Sequence, residues 1–155
     1  MSANECIPYF EGPYSQVITA HAAYAITGKT FVGPLTGYQS QGPGLATDPL
    51  AANDGGNLIA AAAPIANGEV SGVAMWDVAI NGKVPIIRGG GTMVPVTSGA
   101  AIASAGTELM VDTSGRVIPY VSAAGNRRVG KAHSTAGGAG SDVVVELYGT
   151  QTPGV

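Results

Sequence analysis

Few residues of this chain could carry covalent or proton-transfer chemistry: His21, His133, Cys6 and a scatter of serines. Ser134 adjoins His133, but neighbours on a strand point to opposite faces, and no Gly-x-Ser-x-Gly elbow exists to lift a serine above a sheet. A hydrolytic triad therefore lacks its geometry, and each histidine reads as a surface or half-buried polar side chain. Cys6 would need a base beside it to become a thiolate nucleophile, and a position so near the terminus is a poor platform, so it reads as an inert thiol. Asp48, Asn53 and Asp54 are oxygen donors in one loop, yet they miss the alternating spacing of a calcium loop and its closing Glu; Asx turns account for them. The run Arg88-Gly89-Gly90-Gly91-Thr92 lacks the Gly-Lys-Ser/Thr ending of a phosphate loop and leads into strand-like Met93–Val96, which makes it a bend at a sheet corner. No catalytic, cofactor-binding or metal-ligating residue is assigned, no cofactor is expected, and the chain is expected not to be an enzyme.

What must be positioned, then, is surface. In 155 residues there are 24 Gly and 10 Pro, which argues against a helical bundle. Hydrophobic residues make up 45% and charged residues only 11%, against a usual ~25% charged, so the chain is not a disordered tail and is short of solvated groups. Seven basic residues against ten acidic give a net charge of −3. The basic residues are scattered apart from Arg127 and Arg128 near Lys131, which reads as a solvated turn, so no direct nucleic-acid contact is expected. The longest apolar run, Leu58–Ala63, is too short to span a bilayer, and the first residues lack the pattern of a signal peptide. Cytoplasmic synthesis and no membrane partner are expected. The single cysteine excludes an internal disulfide.

Residues 1–16 read as an extended N-terminal arm. Its aromatics Tyr9, Phe10 and Tyr14 either serve a partner surface or fold back onto the domain. Residues 17–148 read as a single β domain of short strands, with 33–57 as a long irregular loop and 149–155 as a flexible C-terminal tail. Val73–Ile80, Asn81-Gly82 and Lys83–Ile87 form the strongest hairpin signal, with Val78 and Ile80 on one buried face. Leu109–Asp112 and Arg116–Val121 make a second hairpin around Thr113-Ser114-Gly115, and Asp142–Tyr148 a final strand. Ala100–Ala105 reads as a helical turn or bend, and Leu58–Ala66 as a strand. Pro85 and Pro119 should sit at edges or bulges. Gly82–Ile86 and Gly115–Pro119 echo each other, which shared hairpin chemistry explains without a repeat. Trp76 reads as a core residue of a strand, and as an interface anchor if it is exposed. The expected fold is all-β: a small β-barrel or β-sandwich-like domain.

Between Asn67 and Leu147, about half of the chain, runs Gly68-Glu69-Val70, then a hairpin, then Gly106-x-Glu108-Leu109-Met110-Val111-Asp112-x-x-Gly115-Arg116-Val117. Val129-Gly130-Lys131-Ala132 and Asp142-Val143-Val144-Val145-Glu146-Leu147 follow. This pattern resembles the capsid cement, or head decoration, proteins of tailed bacteriophages. The N-terminal arm and the 33–57 connection depart from it. The resemblance implies a β module on the exterior of a phage capsid, synthesised in the host cytoplasm, with the major capsid protein as partner and self-association as a homotrimer. Tyr9, Phe10, Tyr14 and Trp76 are the candidate capsid or subunit contacts. Readings from other classes are a phage tail-tube or minor tail structural protein, a small-ligand-binding module or enzyme, and a surface adhesin.

Overall fold

The computed structural model describes residues 5–9, 15–34, 59–62 and 69–153. Among the described residues there are ten strands: β1 (Gln16–Ala22), β2 (Phe31–Pro34), β3 (Ile59–Ala62), β4 (Gly72–Ala74), β5 (Lys83–Arg88), β6 (Met93–Thr97), β7 (Glu108–Val111), β8 (Val117–Pro119), β9 (Arg127–Ala132) and β10 (Asp142–Pro153). Strands β1-β3-β2-β4-β5 close into a barrel, with β1 and β3 parallel and the remaining pairs antiparallel. The other five form a sheet in the order β6-β10-β9-β7-β8, whose two outer strands meet in a parallel bridge at Ser98 and Val117. The all-β expectation holds.

The two halves are the same device used twice, in chain order, β1 to β5 corresponding to β6 to β10. Registers agree residue by residue. The parallel pair Ala22↔Ala61 corresponds to Ser98↔Val117, Gly33↔Ala62 to Met110↔Ile118, Val32↔Gly72 to Leu109↔Gly130, and Val73↔Ile87 to Lys131↔Glu146. In each half the first and last loops cross and join by one antiparallel bridge, Ile26↔Val78 in the first and Ile102↔Ala136 in the second. Turns beyond these bridges need a residue at positive φ, and Lys29 and Asn81 supply it in the first half, Gly106 and Gly140 in the second. The structure therefore contains a repeat, and it does not pair the echoing segments: Gly82–Ile86 leads into and along β5, Gly115–Pro119 into and along β8, which are not equivalent strands.

Alternation in the strands fixes what is inside. Val143, Val145 and Leu147 of β10 are buried while Val144, Glu146 and Tyr148 are half-buried, as expected. One core cluster joins the halves, since Phe31, Val70, Val73 and Ile87 pack with Val94, Leu109, Val129 and Val145; a smaller one, including Val32, Val84 and Ile86, fills the first barrel alone.

Several local expectations are corrected. The strand drawn from Val73 to Ile80 ends at Ala74, where the chain bends through Met75 and Trp76. Ile80 is exposed rather than buried, because it lies in the turn beyond the crossing bridge. Pro85 lies in β5, which is paired on both sides rather than at an edge. Met75 N–H reaches the Pro85 carbonyl at 3.0 Å, and the reciprocal bond that proline cannot donate is replaced, because the Met75 carbonyl takes the Cys6 N–H at 2.6 Å. Residues 149–153 continue β10, because Thr152 and Pro153 find partners in Arg128 and Arg127 beyond a register shift. Arg127 and Arg128 thus lie in β9 rather than in a turn, and the Arg128 guanidinium sits 4.7 Å from the ring centre of Tyr120.

Residues 5–9 strap the two halves together. Cys6 N–H bonds the Met75 carbonyl at 2.6 Å, its Sγ lies 3.4 Å from the Pro95 carbonyl oxygen, and Tyr9 N–H bonds the Met93 carbonyl at 2.8 Å. The Cys6 side chain is a fully buried member of the shared core. Burial pushes its thiol up to about 12 from 9.0, outweighing the nearby Lys29 charge. Because the folded value is raised, the contribution of the neutral thiol is intact below pH 9 and is lost as pH climbs from 9 towards 12. Cys6 is expected to be inert to a disulfide reagent at pH 8 in the native protein and to react once urea unfolds it, followed by thiolate absorbance; fast native-state modification would contradict the burial.

Candidate interaction surface

The chemistry-bearing side chains are dispersed. His21 is buried in β1, whereas His133 lies beyond β9 with Nε2 2.7 Å from Glu146 Oε2, and Ser134 Oγ accepts the Val144 N–H at 2.9 Å instead of meeting that histidine. Among the described residues no group of three or more His, Cys, Asp or Glu could hold a metal ion. Asp48, Asn53 and Asp54 lie outside the described residues. On the outer face of the second half, Glu108 and Glu146 flank Lys131 in register, and Tyr148 donates its hydroxyl to Glu108 at 2.8 and 2.9 Å. Burial, then this hydrogen bond, push the Tyr148 phenol up to about 12.

A cleft of about 520 Å³ between the halves is lined chiefly by Thr27, Thr30, Thr97, Ser114, Arg116 and Asp142. Its charged lining residues are answered locally, Arg116 by Asp112 at 2.8 Å and Asp142 by Lys29 at 2.6 Å. It offers hydroxyls and neutralised charges, without a base poised beside a nucleophile. The Lys29–Asp142 bond also ties the first half to the second, though Asp142 is half exposed, so its share of stability is at most about 1 kcal/mol.

The surface is more telling where it is apolar. Tyr9 is 69% exposed, Trp76 43%, Tyr24 59% and Ile80 58%. Phe10 and Tyr14 lie outside the described residues. Trp76 is therefore not a strand core residue; the bend after β4 carries it outward, the condition under which an anchor reading was expected. Tyr24, Trp76 and Ile80 belong to the two crossing loops of the first barrel, which four contacts hold together. These are the Ile26↔Val78 bridge, Gly28 N–H to Asp77 Oδ1 at 2.9 Å, Ala22 N–H to the Gly82 carbonyl at 2.9 Å, and Asn81 N–H to the Ala22 carbonyl at 2.8 Å. A loop tip braced in this way presents large side chains without paying to order them. The equivalent places in the second half, counted from the matching bridge and strand ends, carry Ala100, Ser134 and Gly138. The same scaffold thus has one adhesive end and one bland end. Tyr24 and Ile80 were missed in the sequence, where an apolar residue in a short alternating segment reads as core. Only the register of the repeat separates them.

Comparison with known proteins points one way. Residues 51–147 match the model of a family described as phage cement protein. Among solved structures, the crystal structure of the head fiber gp8.5 N base in bacteriophage phi29 has the same fold, with a TM-score of 0.61 and 18% identity, covering 89% of this chain and 98% of that one. No curated protein matches the sequence.

Proposed function

The chain belongs to the phage cement protein family, and we propose that it binds the outer surface of a phage head and holds neighbouring major capsid subunits together. The asymmetry of the repeat carries this reading. Tyr24, Trp76 and Ile80 are large and exposed on braced loops, where the second half keeps Ala100, Ser134 and Gly138. Aromatic side chains of this kind supply the energetic centres of interfaces. Tyr9 on the strap adds to the contact, and copies associate as homotrimers on the capsid exterior.

Such a role needs no catalytic group. A protein that binds the assembled shell and not its separated subunits stabilises the shell by mass action, and many copies each spanning subunits make weak single contacts effective. The low charge fits a molecule whose working surface is largely covered.

Purified heads lacking the protein provide the test. Wild-type protein is expected to co-sediment with them and to raise the temperature at which they release DNA, whereas Trp76→Ala with Tyr24→Ala reduces affinity by at least about tenfold, the usual scale for losing two aromatic anchors. Wild-type protein that saturates heads without altering their stability, or a double variant that binds as well, would overturn the reading.

A further inference from the structure

We propose that Asn81-Gly82, in the braced tip of the first half, is a self-modification site: the Asn81 amide is lost by spontaneous cyclisation when the turn opens, and the product no longer holds the tip. The loss of binding that follows rests on the capsid-binding reading above, whereas the chemistry stands apart from it.

The two residues end a turn from Ala79 to Gly82, with Gly82 N–H on the Ala79 carbonyl at 3.0 Å and Asn81 at a φ of 67°. Asn is one of the few residues that takes positive φ readily. Gly82 is fixed by packing, since a methyl there would collide with Val78 Cγ1 and stand 3.0 Å from the Ala79 carbonyl oxygen. Ala22 holds the pair at both ends: Asn81 N–H bonds the Ala22 carbonyl at 2.8 Å, and Ala22 N–H bonds the Gly82 carbonyl at 2.9 Å.

The second half builds the same turn from other residues. Gly140 N–H bonds the Ser98 carbonyl at 2.8 Å, Ser98 N–H bonds the Ser141 carbonyl at 2.8 Å, and Ser141 N–H closes on the Gly138 carbonyl at 3.2 Å, with Gly140 at a φ of 86°. Gly140-Ser141 makes all three bonds without a side-chain amide. The architecture therefore does not demand Asn81, and of the two ends the labile pair stands at the one that exposes Tyr24, Trp76 and Ile80.

The reaction balances with water alone. The Gly82 nitrogen passes its proton to solvent and attacks Asn81 Cγ, closing a succinimide; the Cγ–Nδ2 bond breaks, and the NH2 group takes a proton back from solvent to leave as ammonia. Water then opens either imide bond, giving aspartate or isoaspartate. A glycine offers that nitrogen no side-chain hindrance. In the closed turn the same N–H is spent on Ala79, so only the open fraction reacts. Isoaspartate puts an extra carbon into the main chain between the Asn81 N–H and the Gly82 carbonyl, which then cannot both meet Ala22, and it sets a carboxylate beside the exposed Ile80.

Peptide mapping by mass spectrometry, with electron-transfer fragmentation to tell isoaspartate from aspartate, follows position 81 in the full chain kept in mildly alkaline buffer. Asn67-Gly68 lies outside the described residues and is scored separately in the same digest. Folded wild type is expected to convert measurably, at least about tenfold more slowly than in urea, because only open molecules react. Val78→Ala loosens the packing on Gly82; with a melting profile that shows it folded, it should speed the folded rate and leave the rate in urea unchanged. After ageing, wild type is expected to bind purified heads lacking the protein at least about tenfold more weakly, the scale of a lost interface centre, while Asn81→Gly, which copies Gly140, binds as it did when fresh. A folded rate that equals the unfolded one, or that Val78→Ala does not move, would overturn the gating, and a folded chain that never converts would overturn the site. Equal loss of binding by aged wild type and aged Asn81→Gly would overturn the consequence for the tip. Fresh wild type that ignores heads would overturn the capsid reading, while the mass record still decides the chemistry.

Discussion

Replacing Gly72 or Gly130 with alanine is expected to cost at least about 3 kcal/mol of folding free energy, near the upper end of what overpacking does in a well-packed core. A methyl group at Gly130 would stand 2.5 Å from the Glu146 carbonyl oxygen and 2.7 Å from Val145 Cγ1. At Gly72 it would meet the Ile87 carbonyl oxygen and lie 2.6 Å from Ile86 Cγ2. These are equivalent neighbours in the two halves, so the close approach belongs to the architecture rather than to one site. The obstructing atoms are backbone carbonyls of paired strands, which cannot swing aside as a side-chain tip would. Gly140→Ala is the control: its φ is +86° but nothing lies within 4 Å of the added methyl, so only the conformational cost of about 1 kcal/mol applies. Urea unfolding of the three variants decides the matter, and a Gly130→Ala protein as stable as Gly140→Ala would show that the strands can part.

Phe31→Ala is the second large effect, with about 3–5 kcal/mol expected for emptying a buried aromatic site. Phe31 belongs to the first barrel by sequence and to the shared core by packing. Its N–H bonds the Gly115 carbonyl of the second half at 2.7 Å, and a methyl on Gly115 would collide with the Phe31 carbonyl, so the two backbones cross in contact. Since one cluster spans both halves, wild-type unfolding should follow one transition by tryptophan fluorescence, reporting Trp76, and by far-ultraviolet circular dichroism. The variant should lose stability by both probes together. A fluorescence transition that moves while the dichroism stays put would mean that the halves are energetically independent.

The sequence was most legible where backbone chemistry is local. Asn81 does take positive φ, as its place beside Gly82 suggested, and the turn before Gly115 and the alternation of β10 are as read. The repeat was illegible because what recurs is register. Gly72 and Gly130 recur, as do Ala74 and Ala132, but their neighbours do not, whereas the segments that look alike, Gly82–Ile86 and Gly115–Pro119, occupy different strands. Crossing loops have no sequence marker either: Ile26 pairs with Val78 through one bridge, too little to impose a hydrophobic period on the chain. Trp76 and Tyr9 could be singled out by residue type. Tyr24 and Ile80 needed the fold, since only exposure on the braced tip distinguishes them from core.

The strap has a consequence for how the molecule is made. Cys6 seats against Pro95, 89 residues further along, and against Met75, so on the ribosome residues 5–9 have no complete seat until Pro95 has emerged. Contacts of such sequence separation form late and slow a folding reaction. Docking of residues 5–9 should therefore be the closing step, burying the lone thiol only after both halves exist, and the rate at which Cys6 becomes inaccessible during refolding would time the completion of the molecule.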